Sequence, residues 1–283
     1  MPSATLLAQS VVSGILTGAL YGLVGLGLGL SWGYLRLINL AHFALAFLGA
    51  YLTYQLVGVA GWPAPAAALA IVPAFFIVGA LMQILFQRFA VGEFGSLLVT
   101  FGLTVIVESV IQWFWTADFR RLELGPGAVS FRVGPLYVPI VEAVMLAVAV
   151  ALALGIGAWL RFTWTGKALR ASAENPAIAA AFGVDHRRLA QLLSGIGAAC
   201  AGVAGVFIAL IHTLTPSQIF AWMGVVFAVV ILGRLGNPLG VLAAGVAIGV
   251  SEAVTMAVTA PSWAPMVSFT LLILMLLLRP GRV

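Results

Sequence analysis

Long apolar runs, parted by short polar breaks, make up almost all of this 283-residue chain. A helix needs about 20 apolar residues to cross the hydrocarbon core of a bilayer, within a range of roughly 17–25. Runs at 6–30, 41–59, 64–87, 96–116, 137–160 and 189–211 meet that length, and three more follow at 221–233, 239–258 and 265–278. The pattern predicts an all-α polytopic membrane protein, a single domain over 1–283 with eight or nine transmembrane helices. The run at 221–233 has only thirteen residues, short enough for a broken or re-entrant helix.

Composition narrows the class further. Hydrophobic residues are 63% of the chain and charged ones 7%, far from the roughly 25% charged residues of a soluble domain. A net charge of +5 could suggest nucleic acid, but the basic residues sit in short loops between spans, where orientation explains them. Cys200 is the single cysteine and lies in an apolar run, so neither an intrachain disulfide nor a metal cluster is expected. No Lys or Arg precedes Arg36, so the first run reads as a retained span rather than a signal peptide.

The polar breaks are unequal. Residues 161–188 form an island holding five of the thirteen Lys and Arg residues: Arg161, Lys167, Arg170, Arg187 and Arg188. By the positive-inside rule this loop, 161–189 in full, is cytoplasmic. Alternation of spans then puts Arg36, Arg88, Arg234, Arg279 and Arg282 inside and only Arg120, Arg121 and Arg132 outside, with the N-terminus outside and the C-terminus cytoplasmic. The external loop at 117–136 contains Asp118, Glu123 and the turn-forming LGPG at 124–127.

Within the spans, Gly18 and Gly22, Gly25 and Gly29, and Gly245 and Gly249 stand four apart, a spacing that lets helices approach closely in lipid. The seam 18–29 is expected to face a second subunit. Polar groups at membrane depth are few. Glu108, beside Ser109 and Gln112, and Glu252, beside Ser251, must face the bundle interior or water, either paired or lining a pathway. His42 and His212 lie near span ends without metal-ligand spacing and read as hydrogen-bonded packing residues. The breaks RLIN at 36–39 and RLGN at 234–237 are alike, and paired breaks of this kind mark a site between repeats in many transporters.

Four segments carry a resemblance. GKALRASAENPAIAAAFGVDHRRL at 166–189 resembles the cytoplasmic loop of the permeases of branched-chain amino acid ABC transporters, where a short helix fits a cleft on the ATPase subunit. LRLINLAHFALAFLGAYL at 35–52, GRLGNPLGVLAAGVAIGVSEA at 233–253 and LRPGR at 278–282 are similar to that family's segments in the same order. The resemblance implies a permease that couples to an ATPase through a helix over 166–184, with Gly166, Arg170, Glu174, Asn175, Pro176 and Gly183 as coupling residues. Asn39, His42, Glu108, Asn237 and Glu252 are the candidate pathway residues. It implies no catalytic or metal-binding residue and no cofactor in this chain. ATP and Mg would sit in two partner ATPases, since Gly166 and Lys167 are followed by Ala168 and form no phosphate-binding loop.

The other implied partners are a second permease, forming a heterodimer, and a periplasmic or lipid-anchored substrate-binding protein. The place is the bacterial inner membrane. The solute is a branched-chain or other amino acid, with urea or a short amide as the alternative. An ion-coupled carrier or channel with Glu108 or Glu252 as proton relay, and a membrane scaffold, are the competing classes.

Overall fold

In the computed structural model, residues 3–89, 91–123, 130–259 and 263–278 are described. The LGPG turn and the C-terminal Arg279 and Arg282 lie outside them. Seven helices are long and apolar enough to cross a membrane. They are α1 (Ala4–Leu35), α2 (Ala41–Thr53, continued by a π-helical turn at Tyr54–Val59), α3 (Ala64–Arg88), α4 (Glu93–Trp115), α5 (Ile140–Phe162), α8 (His186–Ile211) and α10 (Pro238–Val258). Two short helices, α6 (Trp164–Glu174) and α7 (Pro176–Ala181), fill the polar island. Two fifteen-residue apolar helices, α9 (Gln218–Leu232) and α11 (Ala264–Leu278), complete the chain.

The run expected to break or turn back is α9, a single unbroken helix. At about 1.5 Å per residue it spans roughly 22 Å, less than the ~30 Å hydrocarbon core. Its flanks nevertheless lie at opposite ends of the bundle: Leu214 pairs with Arg120 in the chain that follows α4, and Gly236 donates to the Gly29 carbonyl near the far end of α1. A second difference lies at 137–139, assigned to a span by hydropathy but forming β2 (Leu136–Pro139), which pairs antiparallel with β1 (Ser130–Val133). Pro139 ends the strand and precedes α5, which starts at Ile140.

Small residues set the centre of the bundle. Buried α1 lies along α10 so closely that a Cβ on Gly18 would stand 2.6 Å from Val246 Cα, and one on Gly14 would stand 2.6 Å from Val250 Cα. Gly245 and Gly249 meet Gly22 and Gly18 from the other side. Gly25 and Gly29 face Val229, Val230 and Val241. The seam expected to meet a second subunit is therefore closed within the chain: glycine spacing reveals a close contact but not its partner. Gly205 of α8 meets the Ala46 carbonyl of α2 in the same way, and Gly79 of α3 meets α8 at Ser194. Around this centre α3, α5 and α11 expose large apolar side chains, including Leu69, Leu154 and Ile273, as lipid-facing helices do.

Candidate functional site

The polar chemistry concentrates at the two ends of the bundle. At one end, the chain after α4 is strapped to the α8–α9 connection. Arg120 and Leu214 exchange backbone hydrogen bonds of 3.1 and 2.7 Å, and the Arg120 guanidinium donates to the Trp115 carbonyl at 3.1 Å. The hairpin is held on α1 by Gln9, whose amide donates to the Tyr137 carbonyl at 2.9 Å and accepts from the Tyr137 N–H at 3.0 Å. The described parts of this connection, 117–123 and the hairpin 130–139, are therefore held against α1 and the α8–α9 connection.

The opposite end carries Arg36, Arg88, Arg161, Lys167, Arg170, Arg187, Arg188 and Arg234. Here α5 folds directly into α6. The Thr163 hydroxyl accepts from the Gly166 N–H at 3.1 Å and so caps α6. A Cβ on Gly166 would stand 2.5 Å from Leu160 Cα, so the turn requires glycine there. Leu169 and Ser172 are buried, and Ser172 Oγ lies 2.7 Å from His186 Nδ1 at the start of α8.

Asn175 is the pivot of this end. A residue before proline is driven out of the helical region, and Asn175 is extended at φ −148 and ψ 98. It ends α6, and its side chain caps α7 by accepting from the Ile178 N–H at 3.1 Å, with Pro176 as the first helical residue. Gly183, at φ +81, closes α7, and the Val184 N–H returns to the Ala179 carbonyl at 3.1 Å. The single helix expected over 166–184 is thus two helices meeting at a bend, because Pro176 disfavours the helical region at Asn175 and the Asn175 side chain instead caps α7. Glu174 is the last residue of α6, not part of the helix that Pro176 begins.

The bend opens an apolar cleft of about 530 Å³, lined by Trp164, Ile178 and Phe182 together with Lys167, Glu174 and Asn175. Phe182 is 85% exposed and Trp164 82%, on a segment that no span covers. Together they form an exposed apolar patch on an otherwise polar segment. Of the six expected coupling residues, Glu174 and Asn175 line the cleft, while Gly166, Pro176 and Gly183 shape its backbone. Arg170 points elsewhere, into a crevice with Tyr34.

The five expected pathway residues are not gathered at one place. His42 is buried, with Nε2 donating to the Val24 carbonyl at 2.8 Å and its ring filling the space left by Gly27. Glu252 is buried where α10 meets α11 and α1, accepting a hydrogen bond from Ser268 with Tyr21 beside it. Glu108 is half-buried on α4, a helix packed chiefly on α2, and takes a hydrogen bond from Gln112 at 3.2 Å. Asn237 caps α10 by accepting from the Gly240 N–H at 3.2 Å.

Asn39 lies just before α2, and its buried side-chain oxygen finds no partner among the described residues. The RLIN and RLGN breaks do come together. Arg36 and Arg234 both adopt positive φ, 54 and 69, and the Tyr34 hydroxyl donates to the Gly236 carbonyl at 3.0 Å. They meet at the basic end rather than at mid-depth. A polar ladder was not foreseen: Ser194 donates to Gln83 at 2.9 Å, Gln191 to Gln87 at 2.8 Å, and Gln87 to the Arg187 carbonyl at 2.9 Å. The spacing of Gln83 and Gln87, four apart on one face of α3, was its only trace in the sequence.

Comparison with known proteins decides the class. Residues 10–276 match the family described as "Branched-chain amino acid transport system / permease component". The chain belongs to this permease family. Among curated relatives, the high-affinity branched-chain amino acid transport system permease protein LivH of Escherichia coli K12 is 26% identical, over 96% of this chain and 93% of its own. BraD of Pseudomonas aeruginosa, of the same description, is 25% identical over 99% and 96%. The probable branched-chain amino acid transport permease LivH of Methanocaldococcus jannaschii is 28% identical over 91% and 86%. No solved structure matches the permease.

The two mid-span carboxylates of the permease should separate in a labelling experiment. A watery path along the half-open face of α4 predicts that, in a Cys200→Ala background, Glu108→Cys reacts with a membrane-impermeant thiol reagent, whereas Glu252→Cys stays protected between α10, α11 and α1. Equal protection of both would make Glu108 a packing residue as well.

Proposed function

We propose that this permease forms one half of the membrane channel of an ATP-driven importer that carries branched-chain amino acids across the bacterial inner membrane. The observation that carries the reading is the α6–α7 cleft. It stands at the basic end of a chain that matches the permease family over residues 10–276, and it offers Trp164, Ile178 and Phe182 to a partner. Two ATPases, each seated on such a cleft, would supply ATP and Mg. A substrate-binding protein would deliver solute to the strapped loop and hairpin at the outer end.

The positive-inside rule orients the bundle with the basic end in the cytoplasm. Counting α9 and α11 with the seven longer helices makes nine crossings, an odd number, and this leaves the N-terminus outside and the C-terminus in the cytoplasm. A polar solute needs a wall on every side. Exposed Ser109 and Gln112 and half-buried Glu108 lie on α4, which the rest of the chain leaves largely uncovered, so the opposite wall belongs to a second, related permease.

Reconstitution in liposomes tests the reading. The permease with a related second permease, two ATPases and the binding protein should take up labelled leucine only with ATP and only when the binding protein is present. The permease alone should take up none. Leucine uptake by this chain alone, or ATP-independent uptake by the complex, would overturn the proposal and favour a carrier.

A further inference from the structure

A second crevice at the basic end, of about 410 Å³, lies apart from the ATPase-facing cleft, between α5, α6 and the start of α10. Arg161 and Arg170, both exposed, line the end of it nearest the polar island, its floor. Neither has a carboxylate partner: among the described residues the ion pairs are Arg120 with Asp118 and Arg188 with Asp185. All eight Asp and Glu residues of the chain are among those described. Arg161 lies over the Phe162 ring at 5.5 Å, which fixes its direction without neutralising it. The positive end of α10, starting at Pro238, opens on the same space.

Above this floor the crevice continues into the span. Leu154, Gly157 and Ala158 share with Arg161 one face of α5, at spacings of three, four and seven residues, and reach about 10 Å toward the bilayer centre. A Cβ on Gly157 would meet nothing within 4 Å, so the glycine leaves an open furrow instead of making a helix contact. Leu239 of α10 forms another apolar wall.

We propose that this crevice binds an anionic phospholipid, its phosphate on Arg161 and Arg170 and the upper part of one acyl chain in the furrow at Gly157. Two exposed arginines without a carboxylate partner at the floor favour an anion. The apolar furrow above them lies at membrane depth, where a soluble subunit does not reach, and this favours lipid over an acidic protein surface. The assignment holds for any solute the permease moves and does not depend on its ATPase partners.

Native mass spectrometry of the purified full-length permease, after exposure to equal amounts of phosphatidylglycerol and phosphatidylcholine, tests it. Phosphatidylglycerol should be retained in excess. R161Q/R170Q should weaken that retention roughly thirty-fold, the combined effect of two basic side chains at a membrane surface. Gly157→Leu fills the furrow while leaving both arginines in place. It stands where added atoms meet open space, so it should fold normally and also lose the lipid.

Equal retention of the two lipids, or retention unchanged in both variants, would overturn the proposal. So would displacement of the lipid by millimolar inorganic phosphate, which would make this a free-phosphate site. Loss of ATPase co-purification in R161Q/R170Q, with lipid retention intact, would assign the arginines to a protein contact and overturn it as well.

Discussion

Gly18→Leu should leave little folded permease in the membrane, and even Gly18→Ala should be markedly destabilised. A Cβ at this position meets the Gly245 carbonyl and stands 2.6 Å from Val246 Cα. Both are helix backbone, so no side-chain rotation relieves the contact and α1 must move away from α10. Overpacking a well-fitted core costs about 1–3 kcal/mol and occasionally more. Separating α1 from α10 also loosens the fit at Gly14 and Gly22, which contact the same helix.

The matched control is Gly155→Ala on α5, where an added Cβ meets nothing within 4 Å. That change should be neutral or slightly stabilising, because alanine favours a helix over glycine by up to about 1 kcal/mol. Yield and melting temperature of the detergent-purified protein check both. A Gly18→Leu protein that purifies in normal yield with an unshifted melting point would show that the α1–α10 contact is not what organises the bundle.

That contact also shows where the sequence was readable and where it was not. Seven of the spans were legible because their apolar runs have the length a bilayer requires, and α3, α4 and α8 lie where hydropathy placed them. The edge at 137–139 failed because Leu136–Pro139 is apolar enough to extend a span, while its backbone pairs with 130–133 in a hairpin. Glycine spacing correctly signalled close helix packing, yet small residues carry no mark of the helix that covers them, so Gly18 and Gly22 could not be matched to Gly245 and Gly249 beforehand. Pro176 marked the start of a helix, but the effect of proline on the residue before it divides the segment at Asn175. Only that bend, together with the exposure of Trp164 and Phe182, makes a cleft of the segment. Among the candidate pathway residues, Glu252 illustrates the limit: a carboxylate in an apolar run reads as paired or as lining a pathway, and its neighbours Ser268 and Tyr21 are visible only in the fold.

Altering the cleft should break the link between ATP hydrolysis and transport while leaving the permease inserted and folded. Phe182 is almost fully exposed and makes no contribution to the core, so Phe182→Asp removes an apolar anchor and adds a charge without disturbing α6 or α7. The loss of a buried aromatic anchor at an interface costs 2 kcal/mol or more, about a thirty-fold fall in affinity. Co-purification of the ATPases should fall accordingly. Gly183→Val acts differently. At φ +81 a β-branched residue is strained, so the α7 terminus that closes the cleft shifts and its aim changes.

The expected outcome for Gly183→Val is an assembled complex whose ATPase activity no longer responds to the loaded binding protein and whose leucine uptake drops at least ten-fold. Glu174→Ala, at the cleft edge, should show the same uncoupling in milder form. Measured side by side, Phe182→Asp should lose assembly and Gly183→Val should lose coupling, while both proteins keep the wild-type melting temperature within a few degrees. If both variants retained full binding-protein-stimulated ATPase activity and uptake, the α6–α7 pair would not be the element through which nucleotide closure reaches the spans.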